Sequence, residues 1–547
     1  MLSSLGMTKK FIFITGGVLS SLGKGIASAS IAFLLEAKGL KVALMKLDPY
    51  LNVDPGTMNP FQHGEVYVTD DGAETDLDLG HYHRFTNSPL SKASNATSGQ
   101  IYYEVLRRER KGDYLGKTVQ VIPHITDEIR RRLVECAKQV DGIDVTIVEI
   151  GGTVGDIESQ PFLEAIRQFR HEHLRDSINI HLTYVPYIEH AGEVKTKPTQ
   201  HSVQKLQQSG IFPDMILCRC KDPLDEEIKA KISLFCNVPL HGVIDLIDVK
   251  NSIYEVPLLL QKAGLENSIS ELLGLPQKTA DLSVWEKMIQ TLIQTKKHVT
   301  IAVVGKYLQH QDAYKSVFEA LKHGGISNET KVDIKCIESD KIADVDDLRE
   351  KLAGCSGILV PGGFGSRGIS GMIMAAKFAR ENNIPYFGIC LGMQIMVIEF
   401  ARDVLNLPGA HSTEMDLETP DNIISLLSEQ INTTDLGGSM RLGAYPCSVD
   451  PKSLAFACYQ KEEISERHRH RYEFNNHYKE RCESKGLKIV GTWKEGNLCE
   501  IMEIKDHPWM IGVQFHPEFK SKPLEPHPLF KGFIAAALKY NDESRRN

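Results

Sequence analysis

The chain has 547 residues, which suggests two large domains or three to four smaller ones. Its apolar content of 42% and charged content of 24% are ordinary for a globular protein, and a net charge of -8 argues against a general nucleic-acid binder. No apolar run reaches the roughly 18 residues of a membrane helix, and eleven cysteines without a Cys-x-x-Cys pair indicate reduced thiols, so we expect a cytoplasmic protein.

A glycine-rich turn between a strand and a helix is the first motif in the chain. The apolar run 11–15 predicts a buried strand, and apolar residues at helical spacing predict a helix over 24–38. The turn 16–25 lies between them, and a second strand is predicted at 41–48. Backbone N–H groups at a helix start, together with Lys24, suit the phosphates of a nucleotide. This setting predicts a phosphate-binding loop.

The predicted loop departs from the strict phosphate-loop pattern in a way that bears on metal binding. Val18 stands where the pattern has glycine, and Gly25 stands where it has the serine or threonine that holds magnesium. Carboxylates elsewhere must therefore hold any metal. Asp78 lies in the acidic stretch 70–83, and Glu149 ends a predicted strand, where ligands of open α/β sheets bind. We predict that both hold Mg²⁺, with a solvated acidic loop and a structural carboxylate as the alternatives.

Two lysines after a later strand predict a second anion site. Residues 181–188 are typical of a strand, and Lys195 and Lys197 follow on a loop stiffened by Pro198. Such a loop suits a second polyphosphate, and an exposed loop without function is the alternative. Further strands of the same sheet are predicted at 211–218 and 243–247.

An amphipathic helix predicted over 281–295 leads to a second α/β unit. Its first strand ends in Gly305-Lys306, a superficial repeat of the phosphate loop that lacks a glycine cage and is assigned no phosphate. The fold class predicted for the chain is α/β, with two doubly wound Rossmann-like domains at 1–275 and 299–540. Strands of the second unit are predicted at 331–337, 357–360 and 385–389. Residues 276–298 would be a linker and 541–547 a frayed tail.

Cys390 lies on a predicted sharp turn between a strand and a helix, with glycines on both sides. This arrangement is typical of a nucleophile elbow, and the N-terminus of the following helix would favour the thiolate. The glycine-rich loop 361–365 offers N–H groups for an oxyanion. Near the end of the unit, His516 would act as base and Glu518 would orient its imidazole. A lone cysteine is usually a core residue, but three motifs in one unit predict a Cys–His–Glu triad.

These motifs resemble those of two known families. Cys390, the loop 361–365 and the segment 516–518 resemble class I glutamine amidotransferases over roughly residues 299–540. The N-terminal motifs are similar to CTP synthases, and the combined resemblance spans nearly the whole chain. It implies a synthase domain at 1–275 and a glutamine amidotransferase domain at 299–540. The segments that carry the CTP synthase resemblance are 16–25, 46–50, 71–81, 149–159 and 195–200.

The resemblance also implies which residues would bind each ligand. The ATP site would take Ser21, Leu22, Gly23, Lys24, Gly25, Ile26, Asp78 and Val249. The UTP site, overlapped by the inhibitory product CTP, would take Ser20, Asp156, Ile157, Glu158, Lys195, Thr196, Lys197, Pro198, Thr199, Gln200 and Lys231. The glutamine site would take Gly363, Leu391, Gly392, Met393, Gln394, Glu414 and Arg471. Mg²⁺ would bind Asp78 and Glu149, and the activator GTP would contact Arg367 and Gly368.

The implied reaction is the amination of UTP to CTP in de novo pyrimidine nucleotide biosynthesis, with ATP and glutamine as the other two substrates. ATP would phosphorylate the 4-oxygen of UTP, with Lys24, Lys46 and Mg²⁺ stabilising the transferred group. Cys390 would release ammonia, which must reach the other site without meeting solvent, and the family implies a homotetramer. A ligase that amidates a cofactor precursor, such as a cobyrinic acid amidase, is one alternative, but it gives no reason for the 195–200 match. A non-enzymatic assembly protein is another, and the intact triad and phosphate motifs count against it.

Overall fold

A computed structural model describes residues 9–426 and 439–544 of the chain. The chain forms two compact units. The first contains Met1–Asp54 and Asp78–Ile289, and the second contains Pro55–Leu77 and Gln290–Asn547. The domain boundaries given above stay a prediction, but the packing assigns one segment of the N-terminal half, Pro55–Leu77, to the C-terminal unit.

The first unit is built on a parallel sheet of seven strands. The chain enters the sheet near its middle, at Lys10–Gly16, and later strands are added on both sides. This doubly wound order places the turn after the first strand at the edge where such sheets bind ligands. In spatial order the strands are Val243–Ile247, Met215–Cys220, Ser177–Tyr184, Lys10–Gly16, Val145–Ile150, Val42–Asp48 and Asn95–Thr97.

Helices connect these strands, because a parallel strand pair needs a crossover. The acidic stretch after residue 70 is not an open loop, since it contains the helix Asp78–Phe85. A small hairpin pairs Tyr187–Ile188 with Glu193–Val194. The helices of the first unit are Lys24–Ala37, Asp78–Phe85, Ser98–Arg110, Thr126–Cys136, Gln160–Glu172, Lys197–Gln208, Glu226–Cys236, Val256–Lys262 and Leu265–Leu273, and Ser283–Gln294 leads out of it.

The second unit contains a mixed sheet of nine strands. The first five strands in spatial order are parallel, which confirms the doubly wound fold predicted for this half. The remaining four pair antiparallel and were not predicted. In spatial order the strands are Lys331–Glu338, His298–Gly305, Gly357–Val360, Tyr386–Ile389, Met510–Val513, Leu498–Ile504, Leu487–Trp493, Arg441–Val449 and Glu463–His470.

Smaller elements complete the second unit. A three-stranded sheet joins Ala410–Ser412, Asp421–Leu426 and Tyr472–Phe474, and a hairpin pairs Tyr67–Val68 with Glu74–Thr75. The helices are Pro60–His63, Lys315–Ser327, Val345–Leu352, Ile369–Glu381, Leu391–Asp403, Leu454–Tyr459, Lys479–Ser484 and Pro528–Ser544. The last of these continues four residues into the predicted tail, and residues 545–547 lie outside the described ranges.

Among the described residues, none of the helices combines the length and apolar character that crossing a membrane requires.

Candidate functional site

The turn after the first strand has an unusual backbone. Val18, Ser21 and Gly23 have φ angles of 78°, 56° and 97°, in the left-handed region that favours glycine. The glycine position of the strict loop pattern is therefore left-handed here as well, although a valine occupies it. Strain of this kind costs on the order of 1–3 kcal/mol per residue and clusters at functional sites. At the end of the loop, Lys24 Nζ donates to the carbonyl oxygen of Gly152 at 2.5 Å.

The structure explains why the loop ends in Gly25 and not in serine or threonine. A Cβ atom added to Gly25 would lie 2.0 Å from Oδ1 of Asp78, so no side chain fits. The carboxylate of Asp78 thus occupies the place of the hydroxyl that holds magnesium in the strict pattern. A carboxylate oxygen is present at that point of the loop, but a different part of the chain supplies it.

Lys46 connects the two predicted metal ligands. Its Nζ lies 2.8 Å from Oε1 of Glu149 and is also bonded to Oδ2 of Asp78, and the side chain is buried. Tyr82 donates its hydroxyl to the other oxygen of Glu149. Burial raises the pKa of Glu149, and burial likewise raises the pKa of Asp48 to about 6. For Asp78, Lys46 and other cations outweigh burial and hold the pKa below its ordinary value.

Two carboxylates beside a phosphate loop fit Mg²⁺, which needs few protein ligands and takes water and phosphate oxygens for the rest. The described residues contain no group of three or more His, Cys, Asp or Glu side chains arranged to hold a metal. The assignment of Mg²⁺ to Asp78 and Glu149 therefore stays a prediction, supported by the Gly25 contact.

Arg219 brings two parts of the predicted ATP site together. Its Nη1 donates to the carbonyl oxygen of Ser21 at 2.9 Å, and its Nε donates to Oδ1 of Asp248 at 2.9 Å. Asp248 precedes Val249, so the arginine connects the phosphate loop to the segment predicted to bind ATP after the last strand. Sequence reasoning missed Arg219, because a single arginine near the end of a strand belongs to no motif.

The residues predicted to bind UTP fall into an exposed and a buried group. Lys195 is bonded to Glu193, and the charge of Lys231 also acts on that carboxylate, so the two lysines lie near each other. The side chains of Thr199 and Gln200 are buried. The hydroxyl of Thr199 is hydrogen-bonded to that of Thr183, and the amide of Gln200 donates to the hydroxyl oxygen of Thr196. The predicted loop is in fact the start of the helix Lys197–Gln208. All of these assignments, with that of Glu158, stay predictions.

Cys390 lies on a strained turn, as predicted for a nucleophile elbow. Its φ of 50° is unusual for a residue with a side chain, and it immediately precedes the helix Leu391–Asp403. Only glycine fits on either side, because a Cβ on Gly388 would lie 2.5 Å from the Gly392 carbonyl oxygen and a Cβ on Gly392 would lie 2.0 Å from that of Val360. Cys390 is therefore fixed at the start of the helix, whose first N–H groups lack partners within the helix.

His516 and Glu518 are paired as the sequence predicts for a triad. Nδ1 of His516 lies 2.7 Å from Oε1 of Glu518. Burial alone would lower the pKa of His516, but Glu518 and Cys390 outweigh it and raise the pKa to about 10. Among the described residues, Nε2 of His516 has no hydrogen-bond partner. A Cβ on Gly362 would contact both the imidazole and Cys390, so the two side chains lie beside the same loop.

Three of the residues predicted to bind glutamine lie near Tyr472. Gln394 donates to the carbonyl oxygen of Tyr472 at 3.1 Å. Burial raises the pKa of the Tyr472 hydroxyl, Glu414 raises it further and Arg471 opposes this, so both charged groups act on the same side chain. Gln394, Glu414 and Arg471 therefore lie in one region of the second unit, and their role stays a prediction. Met393, in contrast, is fully buried in the core.

The segment Pro55–Leu77 is held against this site by ion pairs and hydrogen bonds. Arg469 donates to Oε1 of Glu74 at 2.8 Å, and Arg467 donates to Oδ1 of Asp70 at 2.7 Å. Oε2 of Glu65 accepts from the N–H of Ser316 at 2.8 Å, at the start of the helix Lys315–Ser327. No motif in the sequence indicated that a segment from the N-terminal half completes the C-terminal site.

A cavity of about 280 Å³ lies between this segment and the elbow. Cys390 and His516 line one side of it, and residues 56–66 contribute Met58, Pro60 and Val66. Cys390 therefore lines a partly open cavity whose far wall is formed by both apolar and polar residues of this segment.

A phosphate loop on one α/β unit and a cysteine elbow with a His–Glu pair on another are the parts of a glutamine-dependent C–N ligase. Two family models match the chain, CTP synthase N-terminus over residues 10–275 and glutamine amidotransferase class-I over residues 309–536. A CTP synthase of Protochlamydia amoebophila is 64% identical, covering 98% of this chain and 99% of its own length, and one of Chlamydia abortus is 60% identical with the same coverage. The chain belongs to the CTP synthase family, the ATP-dependent, glutamine-hydrolysing ligases that convert UTP to CTP in pyrimidine biosynthesis.

A solved structure of the glutaminase domain of Trypanosoma brucei CTPS with bound acivicin is 39% identical. It covers 44% of this chain and 94% of its own, with a TM-score of 0.42.

Proposed function

We propose that this chain aminates UTP through a 4-phosphorylated intermediate, with ammonia that Cys390 releases from glutamine. The observation that carries the proposal is the cavity beside Cys390 and His516. Its far wall comes from Pro55–Leu77, and this segment continues directly into Asp78, the predicted metal ligand of the synthase unit. One continuous stretch of chain therefore contributes to both chemistries.

The glutaminase step follows from the charges at the elbow. The raised pKa of His516 keeps the imidazole protonated near neutral pH, so it carries a proton that it can donate. Attack of Cys390 on the amide carbon of glutamine creates an oxyanion near the helix N-terminus. His516 donates its proton to the departing ammonia, and water then releases glutamate from the thioester with His516 as base.

The synthase step requires positive charge around the transferred phosphoryl group. ATP phosphorylates the 4-oxygen of UTP, and ammonia then displaces that oxygen as phosphate. Lys24 and Lys46 lie beside the loop and supply fixed positive charge. Mg²⁺ held by Asp78 and Glu149 would add further charge against the phosphate oxygens.

Regulation and assembly are part of the same proposal. The pair Arg367–Gly368, which we assign to the activator GTP, lies on the loop after Gly365. Arg367 donates to Asp340 at 2.9 Å and to the carbonyl oxygen of Lys306. CTP would compete in the UTP site, the active form would be a homotetramer, and a cytoplasmic location stays a prediction from the composition of the sequence.

The direct test is CTP formation from UTP, ATP and glutamine, followed at the absorbance of the pyrimidine base. A ligase for a cofactor precursor would leave UTP unchanged while hydrolysing glutamine. An assembly protein without enzymatic activity would do neither, so measuring glutamate release in the same reaction distinguishes all three functions.

Changing Gly25 to serine should reduce CTP synthesis at least about tenfold, because the new Cβ would lie 2.0 Å from Oδ1 of Asp78. The loss should appear with either glutamine or ammonium as nitrogen source, and the Mg²⁺ concentration needed for half-maximal rate should rise. Ala37→Ser, in the same helix, is the matched control. If Gly25→Ser needs the same Mg²⁺ concentration as the unsubstituted protein, Asp78 does not hold the metal.

Changing Glu158 to alanine should weaken inhibition by CTP more than it raises the UTP requirement. UTP and CTP share the triphosphate, which Lys195 and Lys231 would contact, and differ only at the 4-position of the base. The substitution at Glu158 should therefore leave the contacts to the triphosphate unaffected. Initial rates over a grid of UTP and CTP concentrations measure both effects. Glu164→Ala, on the next helix and paired with Arg167, is the control. If CTP inhibits this variant as strongly as it inhibits the unsubstituted protein, Glu158 does not contact the product.

A further inference from the structure

Lys306 is a buried lysine that the proposed chemistry does not use. It follows the strand His298–Gly305, and its side chain is 1% exposed. Nζ donates to the carbonyl oxygen of Phe364 at 3.1 Å and to that of Gly365. Burial lowers the pKa of Lys306 to about 8, against the opposing charge of Glu414. Because an ammonium is costly to bury without acceptors, its position depends on those two carbonyls.

The accepting carbonyls belong to the glycine-rich loop 361–365 beside Cys390. The peptide between Phe364 and Gly365 is held at both ends, because its carbonyl accepts from Lys306 and its N–H donates to Oε1 of Glu414 at 2.7 Å. The Tyr314 hydroxyl donates to the carbonyl oxygen of the preceding Gly362 at 3.0 Å. Glycine residues restrict the backbone little, so these side chains must define the loop's conformation.

The fixed peptides determine where the loop's other N–H groups point. In a planar trans peptide, the N–H lies opposite the carbonyl, so a carbonyl held on one side directs its N–H to the other. Gly363 lies between the two held positions, and a Cβ there would be 3.4 Å from Cδ of Lys306 and 3.5 Å from Cδ2 of Leu391. The loop thus passes between the lysine stem and the residue that follows Cys390.

We propose that Lys306 and Tyr314 are positioning residues for glutamine hydrolysis: they anchor the peptides on the two sides of Gly363, so that the N–H of Gly363 receives the oxyanion formed when Cys390 attacks. The inference rests on the proposed glutaminase function. It predicts that Lys306 matters for reactions that create an oxyanion and not for other reactions of the same thiol.

Lys306→Met tests this, because methionine fills the space of the stem but has no Nζ donors. We expect kcat for glutamine hydrolysis to fall about 10²–10³-fold, as when an oxyanion donor is lost, with KM changed less than about threefold. Alkylation of Cys390 by iodoacetamide proceeds without an oxyanion and should keep its rate within about threefold. Ammonia-dependent CTP formation should also persist. Lys322→Met, a half-exposed lysine paired with Glu319, is the control.

Parallel losses of hydrolysis and alkylation would overturn the inference, since the lysine would then act on the thiol itself. Unchanged hydrolysis would overturn it as well. If Lys306→Met fails to fold, Tyr314→Phe removes only one hydroxyl from the same loop and should reduce hydrolysis about tenfold at constant alkylation; no such difference would contradict the inference. Failure of the unchanged chain to hydrolyse glutamine would instead reject the proposed function.

Discussion

Replacing Cys390 by alanine should lower glutamine-dependent CTP formation by at least about 10³-fold, because no other group at the elbow can open the amide. The synthase unit needs only neutral ammonia at the activated carbon of UTP. The variant should therefore still form CTP from added ammonium salts, and faster as pH rises, since the free base increases with pH. Parallel assays with glutamine and with ammonium chloride over a pH series measure both outcomes.

Cys447→Ala is the matched control for this experiment, because Cys447 is also buried in the second unit but lies outside the elbow. It should retain activity with both nitrogen sources. If Cys390→Ala loses ammonia-dependent synthesis as well, with an unchanged thermal unfolding curve, the cysteine serves more than glutamine hydrolysis and the division into two chemistries is wrong.

Replacing Lys24 by alanine should have the complementary effect, with loss of CTP formation from glutamine and from ammonium alike. Lys24 lies at the end of the phosphate loop, and the stabilisation of a transferring phosphoryl group by fixed charge is the main contribution of such sites. We expect a decrease of about 10²–10³-fold in synthesis. Hydrolysis of glutamine at Cys390 should remain measurable, because the second unit carries its own catalytic groups.

Lys41→Ala, an exposed lysine of the same unit, controls for the loss of one positive charge. Glutamate release and CTP formation should be followed in the same reaction mixture. Synthesis from ammonium at the unchanged rate in Lys24→Ala would show that the loop does not bind the transferred phosphate.

Motifs that are continuous in sequence were predicted most accurately. The backbone of the glycine-rich turn 16–25, the sharp turn at Cys390 and the strands around them depend on glycine positions and apolar runs, which are local properties. The strand predicted at 243–247 has the same bounds in the structure, as does the one at 357–360. The glycines beside Cys390 are required by backbone contacts that the elbow pattern already implies.

The missed elements depend on partners far away in the chain. The strand Glu463–His470 is rich in charged residues and does not show the alternation of a half-buried strand. Its His468 is nevertheless fully buried, 3.6 Å from Glu500 and 2.9 Å from the ring of His470. Arg441 joins the same cluster through Glu500. Without knowledge of these pairings, a sequence reader expects such residues at the surface.

The segment Pro55–Leu77 has a consequence for how the protein is made. During synthesis it leaves the ribosome well before its partners Arg467 and Arg469, so it must stay hydrated while they are absent. Its acidic residues Asp70 and Glu74 favour this, because carboxylates are well solvated by water before Arg467 and Arg469 have been synthesised. Cutting the gene near residue 290 would therefore not yield a complete glutaminase, and the separated C-terminal fragment would need residues 55–77 supplied as a peptide.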